Sequence, residues 1–427
     1  MTSTPEAPSE HCAHARGEAV CVDAPPAPTV GIATGKFAQL SEAGANIKGR
    51  AQLTWRLTEG VTDIEVYAYG LSASTAYGVH LHALPCAISA GGPHYKIDPT
   101  IAETLADNEL WPAFTTDANG AGRASIRADH LVRGDALSVV IHNPEDGSKM
   151  SCADLTLASS GPVVSRGVMA PFATAEAGDM SIGGAVTATV SEAGSEVTLN
   201  LTGLNAANQY SLHVHALPCE INSAGGHYKI DPTVAEVIAA NEVWPALSAI
   251  SAEGVATATV STAHVLRGDA QSVVVHRMTE SGAPKVACAN LKRDTYTAVV
   301  REGGALNVLP AAAAQGVGGV MASGSLTLDV SGSSTVSLSA TGLAASATYN
   351  VHLHTDACAV ANGGGHYLID PAVGALEANE LWPILSTDAS GSATAEVTAV
   401  GHVLRPEAQS VVVHGDGGAR LLCLDLP

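Results

Sequence analysis

HVHALPCEINSAGGHYKIDP, at positions 213–232, decides how this chain is read, because the stretch occurs three times. The first copy runs from His80 through Cys86 to His94, and the third from His352 through Cys358 to His366. In every copy two histidines stand two apart, a cysteine follows four later, and a third histidine follows eight after that. A fourth histidine arrives 48 or 49 residues on, closing the runs SVVIH at His142, SVVVH at His276 and SVVVH at His414. Histidines so spaced, three times over, predict one metal site per repeat.

Outward from these motifs, the first histidines lie 133 and 139 residues apart. That period is too long for a solenoid and suits tandem globular domains, each large enough to bury a core. The predicted organisation is a flexible N-terminal segment at 1–28, rich in Pro, Ala and Glu, followed by repeats at 29–160, 161–297 and 298–427. Polarity alternates in AQLTWRL at 51–57, VTLNL at 197–201, SLTLDV at 325–330 and TVSLSA at 335–340. Such alternation fits half-buried strands, and pairs such as Asn119-Gly120 and Ser390-Gly391 fit the turns between them. The predicted class is all-β, a sandwich or barrel in each repeat. Helical periodicity is confined to short runs such as 101–107, before Trp111, where one or two turns are expected.

On a strand, residues i and i+2 face the same way. His80 and His82 therefore emerge on one face while Leu81 points to the other. His94 follows a Gly-rich loop that can bring it back, and His142 ends an apolar strand. The same reading assigns His213, His215, His227 and His276 to the second site, and His352, His354, His366 and His414 to the third. Four neutral imidazoles suit copper, although zinc also takes imidazole. A fifth histidine per repeat, His130, His264 or His402 in HLVRGDA, HVLRGDA or HVLRPEA, is read as a hydrogen-bonding loop residue. His11 and His14, flanking Cys12 in the N-terminal segment, are read as a chance cluster, with metal binding as the alternative.

Eight cysteines divide evenly. Each repeat holds two, Cys86 with Cys152, Cys219 with Cys288 and Cys358 with Cys423, and the N-terminal segment holds Cys12 and Cys21. Even numbers suggest disulfides formed in an oxidising compartment, with buried free thiols as the alternative. A bridge closing so long a loop stabilises by roughly 4 kcal/mol on the chain-entropy model. The start, MTSTPEAPSEHCAH, shows no secretory signal. The reading that reconciles the two is an extracytoplasmic chain (periplasmic, secreted or cell surface) in mature or trimmed form. With 20 Lys and Arg against 41 acids, the net charge of −21 repels phosphate backbones and argues against a nucleic-acid partner. No stretch is long and apolar enough for a transmembrane helix.

With these residues in view, the chain resembles the copper–zinc superoxide dismutase family over nearly all of each repeat. The carrying elements are HLH or HVH, the cysteine four residues on, GPH or GGH, the Asp-x-x-Gly turns at 117–120 and 388–391, the SVV[IV]H strand and the closing cysteine. The resemblance implies Greek-key β-sandwich or barrel domains, the twelve histidines above as copper ligands, and the cysteine pairs as disulfides holding the loop of the third histidine. It also implies superoxide as substrate. Two features point to the family's copper-only repeat branch. No second histidine lies between His94 and Trp111 or in the matching stretches, so zinc is not expected. The stretch from last ligand to closing cysteine is also too short for an electrostatic loop.

Glu109, Glu242 and Glu380, in Asn-Glu-[Leu/Val]-Trp-Pro, stand near the family's zinc carboxylate. They are expected to hold the second nitrogen of His94, His227 and His366, with Asp98, Asp231 and Asp370 as rivals. Where the family has an anion-guiding arginine, this chain has Lys149, Lys285 and Arg420; only the third matches, and lysine lacks the planar fork. A non-catalytic copper buffer or store is the alternative function.

Overall fold

The computed structural model describes residues 29–157, 162–294, 296, 298–317 and 319–426, together with the backbone of 11–15 and 18–22. Strand accounts for 43% of it and helix for 7%, so the chain is all-β, as expected. The backbone hairpin of His11–Ala15 with Glu18–Val22 sets Cys12 opposite Cys21, but the side chains of His11, His14, Cys12 and Cys21 lie outside the described residues.

Antiparallel sheets form within each repeat. In the first, one sheet runs Gly122–Ala128, Val61–Tyr69, Lys48–Arg56, Val30–Lys36, and a second runs Ala38–Gln39, Lys149–Asp154, Ser138–His142, Val79–His82. In the second repeat a single nine-stranded sheet curls until Gln209–His215 at one end meets Ala246–Leu247 at the other, giving a nearly closed barrel. The third repeat has two sheets, of four and five strands. Alternation makes the half-buried strands: in Gly194–Thr202, Val197, Leu199 and Leu201 are buried while Glu196 and Asn200 face out.

The run carrying the fourth histidine does not alternate, and packing explains why. Val139, Val140 and Ile141 are all fully buried. Val139 and Ile141 enter the core cluster with Leu53 and Ile64. The equivalents of Val140 on the opposite face are covered by the disulfide loop: Val274 packs on Cys288 and Ala224, and Val412 on Cys358, Cys423 and Leu309. Disulfides join Cys86 to Cys152, Cys219 to Cys288 and Cys358 to Cys423, so these six are not free thiols. They fit an oxidising environment. No helix among the described residues is long and apolar enough to cross a membrane.

The helical turns expected before each tryptophan contract to single 3-10 turns at Ala106–Asn108, Ala239–Asn241 and Glu377–Asn379. Asn108 is the reason in the first copy. Its Oδ1 accepts the Asp98 N–H at 2.6 Å and its Nδ2 donates to the Asp98 carbonyl at 3.0 Å, folding the segment into a tight loop before a helix can extend.

The first and third repeats share a seam. Val30 and Ile32 bury themselves among Val299, Leu326 and Leu328 of the third repeat, and Gln52 Nε2 donates to the Leu404 carbonyl at 3.1 Å. Glu65 lies in this region, 6% exposed. Burial, then the nearby Glu407, pushes its carboxyl up from 4.5 to about 8. The folded chain therefore holds a proton that the unfolded chain releases above about pH 4.5, and stability falls as pH rises from there to about 8. Glu65→Gln is expected to stabilise by ~1–3 kcal/mol at about pH 9 and by almost nothing at about pH 5. Urea-denaturation midpoints at the two pH values measure this; equal shifts at both would refute the assignment.

Candidate metal centres

The ladder between Val79–His82 and Ser138–His142 pairs His80 with Val140 and His82 with Ser138. Leu81 points into the core, and both imidazoles leave by the other face. Gln209–His215 against Ser272–Met278, and Thr348–His354 against Ser410–His414, repeat this arrangement. The third histidine returns through an isolated backbone bridge: His82 with His94, His215 with His227, His354 with His366. Four consecutive left-handed residues turn the chain back: Ser89, Ala90, Gly91 and Gly92 in the first copy, Asn222 to Gly225 in the second and 361–364 in the third. Space at Gly91 is tight, since a Cβ there would stand 2.9 Å from Ser138 Oγ. In the second copy Ala224 occupies the place at φ +70°, its methyl buried beside Val274 and Cys288.

Side chains then converge. His82 Nε2 lies 3.2 Å from His142 Nε2, and His80 Nδ1 lies 2.9 Å from His94 Nε2. In the second repeat the matching distances are 3.1 Å (His215 to His276) and 2.9 Å (His213 to His227), and in the third His354 Nε2 lies 3.2 Å from His414 Nε2. Facing nitrogens of His80, His94 and His142, and of the two equivalent triplets, all fall within 4.8 Å of one another. Two nitrogens each ~2.0–2.1 Å from one ion and subtending ~90–105° would be spaced about 3 Å apart.

Hydrogen bonds fix the tautomers. His82 Nδ1 donates to the Gly92 carbonyl at 3.0 Å and His142 Nδ1 to the Gly147 carbonyl at 2.9 Å. Each Nε2 therefore presents a lone pair, and the two lone pairs face each other. Protonating either is disfavoured: burial, foremost, drops His82 to about 3, His215 and His354 to about 2, and His80 to about 4. Opposed lone pairs that resist protons form a site that could hold a metal cation in each repeat.

The glutamates complete the tautomer pattern. Glu109 is buried, and its Oε2 accepts from His94 Nδ1 and from Trp111 Nε1, each at 2.7 Å, while its Oε1 receives Lys96 Nζ. Burial alone would raise this carboxyl, but the bonds from Lys96, Trp111 and His94 offset it and hold it down at about 2. Trp111 also stacks on His80, 5.0 Å between centroids and 8° between planes. Glu242 repeats every contact, with His227 at 2.7 Å, Trp244 at 2.7 Å, and Lys229. Asp98, the rival, spends Oδ1 on the backbone and hydroxyl of Thr100. Asp231 does the same with Thr233, and Asp370 accepts from the Ala372 N–H.

The third centre differs. Leu368 stands where Lys96 and Lys229 stand, and Glu380 instead takes both His366 Nδ1 at 2.6 Å and His352 Nδ1 at 3.2 Å. An uncompensated carboxylate this close should favour a divalent ion by about tenfold over the first two centres, from Coulomb energy at solvent-like dielectric. A competing-chelator titration is expected to resolve one tighter and two weaker sites. Introducing lysine by Leu368→Lys should merge them.

Lys149, Lys285 and Arg420 reach the returning loop. Lys149 Nζ donates to the Gly92 carbonyl at 2.6 Å, Lys285 Nζ to Ser223 at 2.7 Å, and Arg420 Nη2 to Gly364 at 2.6 Å. Gly92 and Gly364 thus accept from both a cation and a histidine of the cluster. His264 and His402 meet Tyr228 Oη at 2.6 Å and Tyr367 Oη at 2.9 Å, a hydrogen-bonding role as expected. The His130 imidazole meets Asp129 through Nδ1, and its carbonyl accepts from Thr62 Oγ1 at 3.0 Å.

Sequence reasoning missed Arg133, Arg267 and Arg405. Each guanidinium lies over the tyrosine that follows the third histidine, 4.6–4.7 Å from the centroid, and donates to the next two carbonyls. They pin the segment that carries the third imidazole. The signal was available: HLVRGDA, HVLRGDA and HVLRPEA share this arginine, but were read only for their histidine. No family model matches the chain, and no curated protein matches it.

Proposed function

We propose that this chain is an extracytoplasmic copper-only superoxide dismutase repeat protein, built of three Greek-key domains at 29–160, 161–297 and 298–427. It would convert two superoxide ions and two protons into dioxygen and hydrogen peroxide. The observation that carries the reading is the donor set: four converging imidazoles, of which the second, third and fourth have tautomers fixed by hydrogen bonds at Nδ1, the third through a glutamate. All-imidazole coordination at this spacing suits copper. Bound copper supplies the one-electron oxidation and reduction that dismutation needs.

His80, His82, His94 and His142, with their counterparts, would hold the metal. His94 keeps its Nδ1 proton on Glu109, so Nε2 is the nitrogen free to exchange a proton with incoming solvent; its side chain is 21% exposed. Trp111, stacked on His80, keeps that imidazole from rotating. Lys149, Lys285 and Arg420 place positive charge beside the cluster against the chain's net −21. Neutralising all three to glutamine is expected to cut the second-order rate about tenfold, and added salt to lower the parent rate. A rate rising with salt would show that the global charge dominates.

Copper counting and spin resonance on the purified chain, with dismutation assays of His94→Ala, His227→Ala and His366→Ala, test the proposal. Three coppers and loss of rate in the combined variant are expected; fewer than one copper per chain would end the reading. A copper buffer is the second reading, favoured by lysine replacing arginine in two of three centres; stoichiometric copper without dismutation would select it.

A further inference from the structure

Away from the histidine clusters, the seam between the first and third repeats forms an open cleft of about 720 Å³. Three cations line it, one from each of three strands: Lys36 at the end of Val30–Lys36, Arg50 on Lys48–Arg56, and Arg301 on Val299–Glu302. Lys36 and Arg50 are cross-strand partners, so their side chains leave neighbouring positions. Arg301 comes from the third repeat and is 2% exposed; Arg50 is 6% exposed.

No carboxylate among the described residues pairs with any of the three. Arg301 Nη2 donates to the Leu426 carbonyl, but its Nε and Nη1 are buried with no acceptor. Among the described residues the Arg50 guanidinium has one hydrogen-bond partner, Thr34 Oγ1 at 3.3 Å. Two acids border the cleft. Asp154 gives Oδ1 to the Cys86 N–H at 2.6 Å, and Glu302, next to Arg301 on a strand, points the other way and is exposed. Guanidinium N–H groups buried without an acceptor, as on Arg301 Nε and Nη1, forfeit their hydration and gain nothing in return. Burial, helped by Arg50, pulls Arg301 well below the usual arginine range, and burial brings Arg50 down to about 10.

We infer that this seam cleft binds a small, multiply charged oxyanion of the phosphate or sulfate type, held by Arg301 and Arg50 with Lys36 at the rim. An anion with acceptors in several directions matches donors arriving from three strands better than a planar carboxylate does. Because its donors come from two repeats, the bound anion would join them. The inference is independent of the metal reading, since none of its residues belongs to a histidine cluster.

The test is calorimetric titration of the full chain with inorganic phosphate in chloride buffer at constant ionic strength, with melting temperature followed in parallel. One saturable phosphate per chain and a phosphate-dependent rise in melting temperature are expected. Lys36→Gln, at an exposed position, should weaken binding about tenfold without altering the fold. Arg50→Met with Arg301→Met should abolish binding while leaving the metal content unchanged. Absence of saturable binding to the parent chain overturns the inference. So does equal binding by parent and Lys36→Gln, which would mark an adventitious ion only. If the double arginine variant fails to fold, the Lys36 comparison still decides.

Discussion

Replacing His82, His215 and His354 together by alanine is expected to leave a chain that surrenders all its metal to a chelator against which the parent keeps three ions. These three are the most deeply placed imidazoles, each fully buried. Each is held by a carbonyl at Nδ1, from Gly92, Ala224 or Gly364, so only Nε2 can reach an ion. Four-ligand sites in folded chains carry on the order of 10–16 kcal/mol of binding energy, or roughly 3–4 kcal/mol per ligand, so losing one weakens a site about 10²–10³-fold. Each single variant should lose one ion and leave two, because the clusters share no residue and distant sites act additively. Disulfides and core remain, so melting without metal should change little. Retention of three ions by the triple variant would remove the histidine clusters as the metal sites.

Much of this geometry was legible in the sequence because a strand's period of two is rigid. HxH has one meaning on a strand, and Leu81 in the core with two imidazoles opposite is its direct consequence. The cysteine pairs were legible for a similar reason, one pair per repeat. The orienting acid was narrowed only to Glu109 or Asp98. Deciding between them needed Asn108, whose amide ties Asp98 into its own turn, and such side-chain competition leaves no periodic trace. Lys96 was invisible as the glutamate's partner, since nothing in a sequence says which exposed lysine folds inward. The seam was harder still. Val30 and Ile32 fall in the first repeat at 29–160, and their burial against Leu326 and Leu328 depends on how two repeats pack, not on local pattern. The second repeat's single curled sheet, beside neighbours with the same motifs built of separate sheets, is a third case: alternation says which face is buried, not where a sheet closes.

Glu109→Gln is expected to weaken the first site 10–100-fold without loosening the fold, and the reason lies in donor counting. Three donors converge on this carboxylate: His94 Nδ1–H, Trp111 Nε1–H and Lys96 Nζ. A carboxylate accepts all three with two oxygens, whereas glutamine offers one oxygen and adds two donors of its own. One of the three must then face an N–H. If His94 yields, its proton moves to Nε2 and the lone pair aimed at His80 is lost. If Lys96 yields, a positive charge is left about one side chain from the ion. Either outcome weakens cation binding while the backbone bridge of His82 with His94 remains in place. Nitrogen-15 resonances of the metal-free chain separate the two, because Nδ1–H and Nε2–H tautomers differ in shift. Asp98→Asn is the control and should leave affinity unchanged, since that carboxyl serves Thr100. Glu380→Gln should cost the most of the three glutamate changes. It releases two imidazoles, His366 and His352, in a centre where no lysine shares the charge. Equal losses from Glu109→Gln and Asp98→Asn would show that the acid acts on the loop's fold and not on the imidazole.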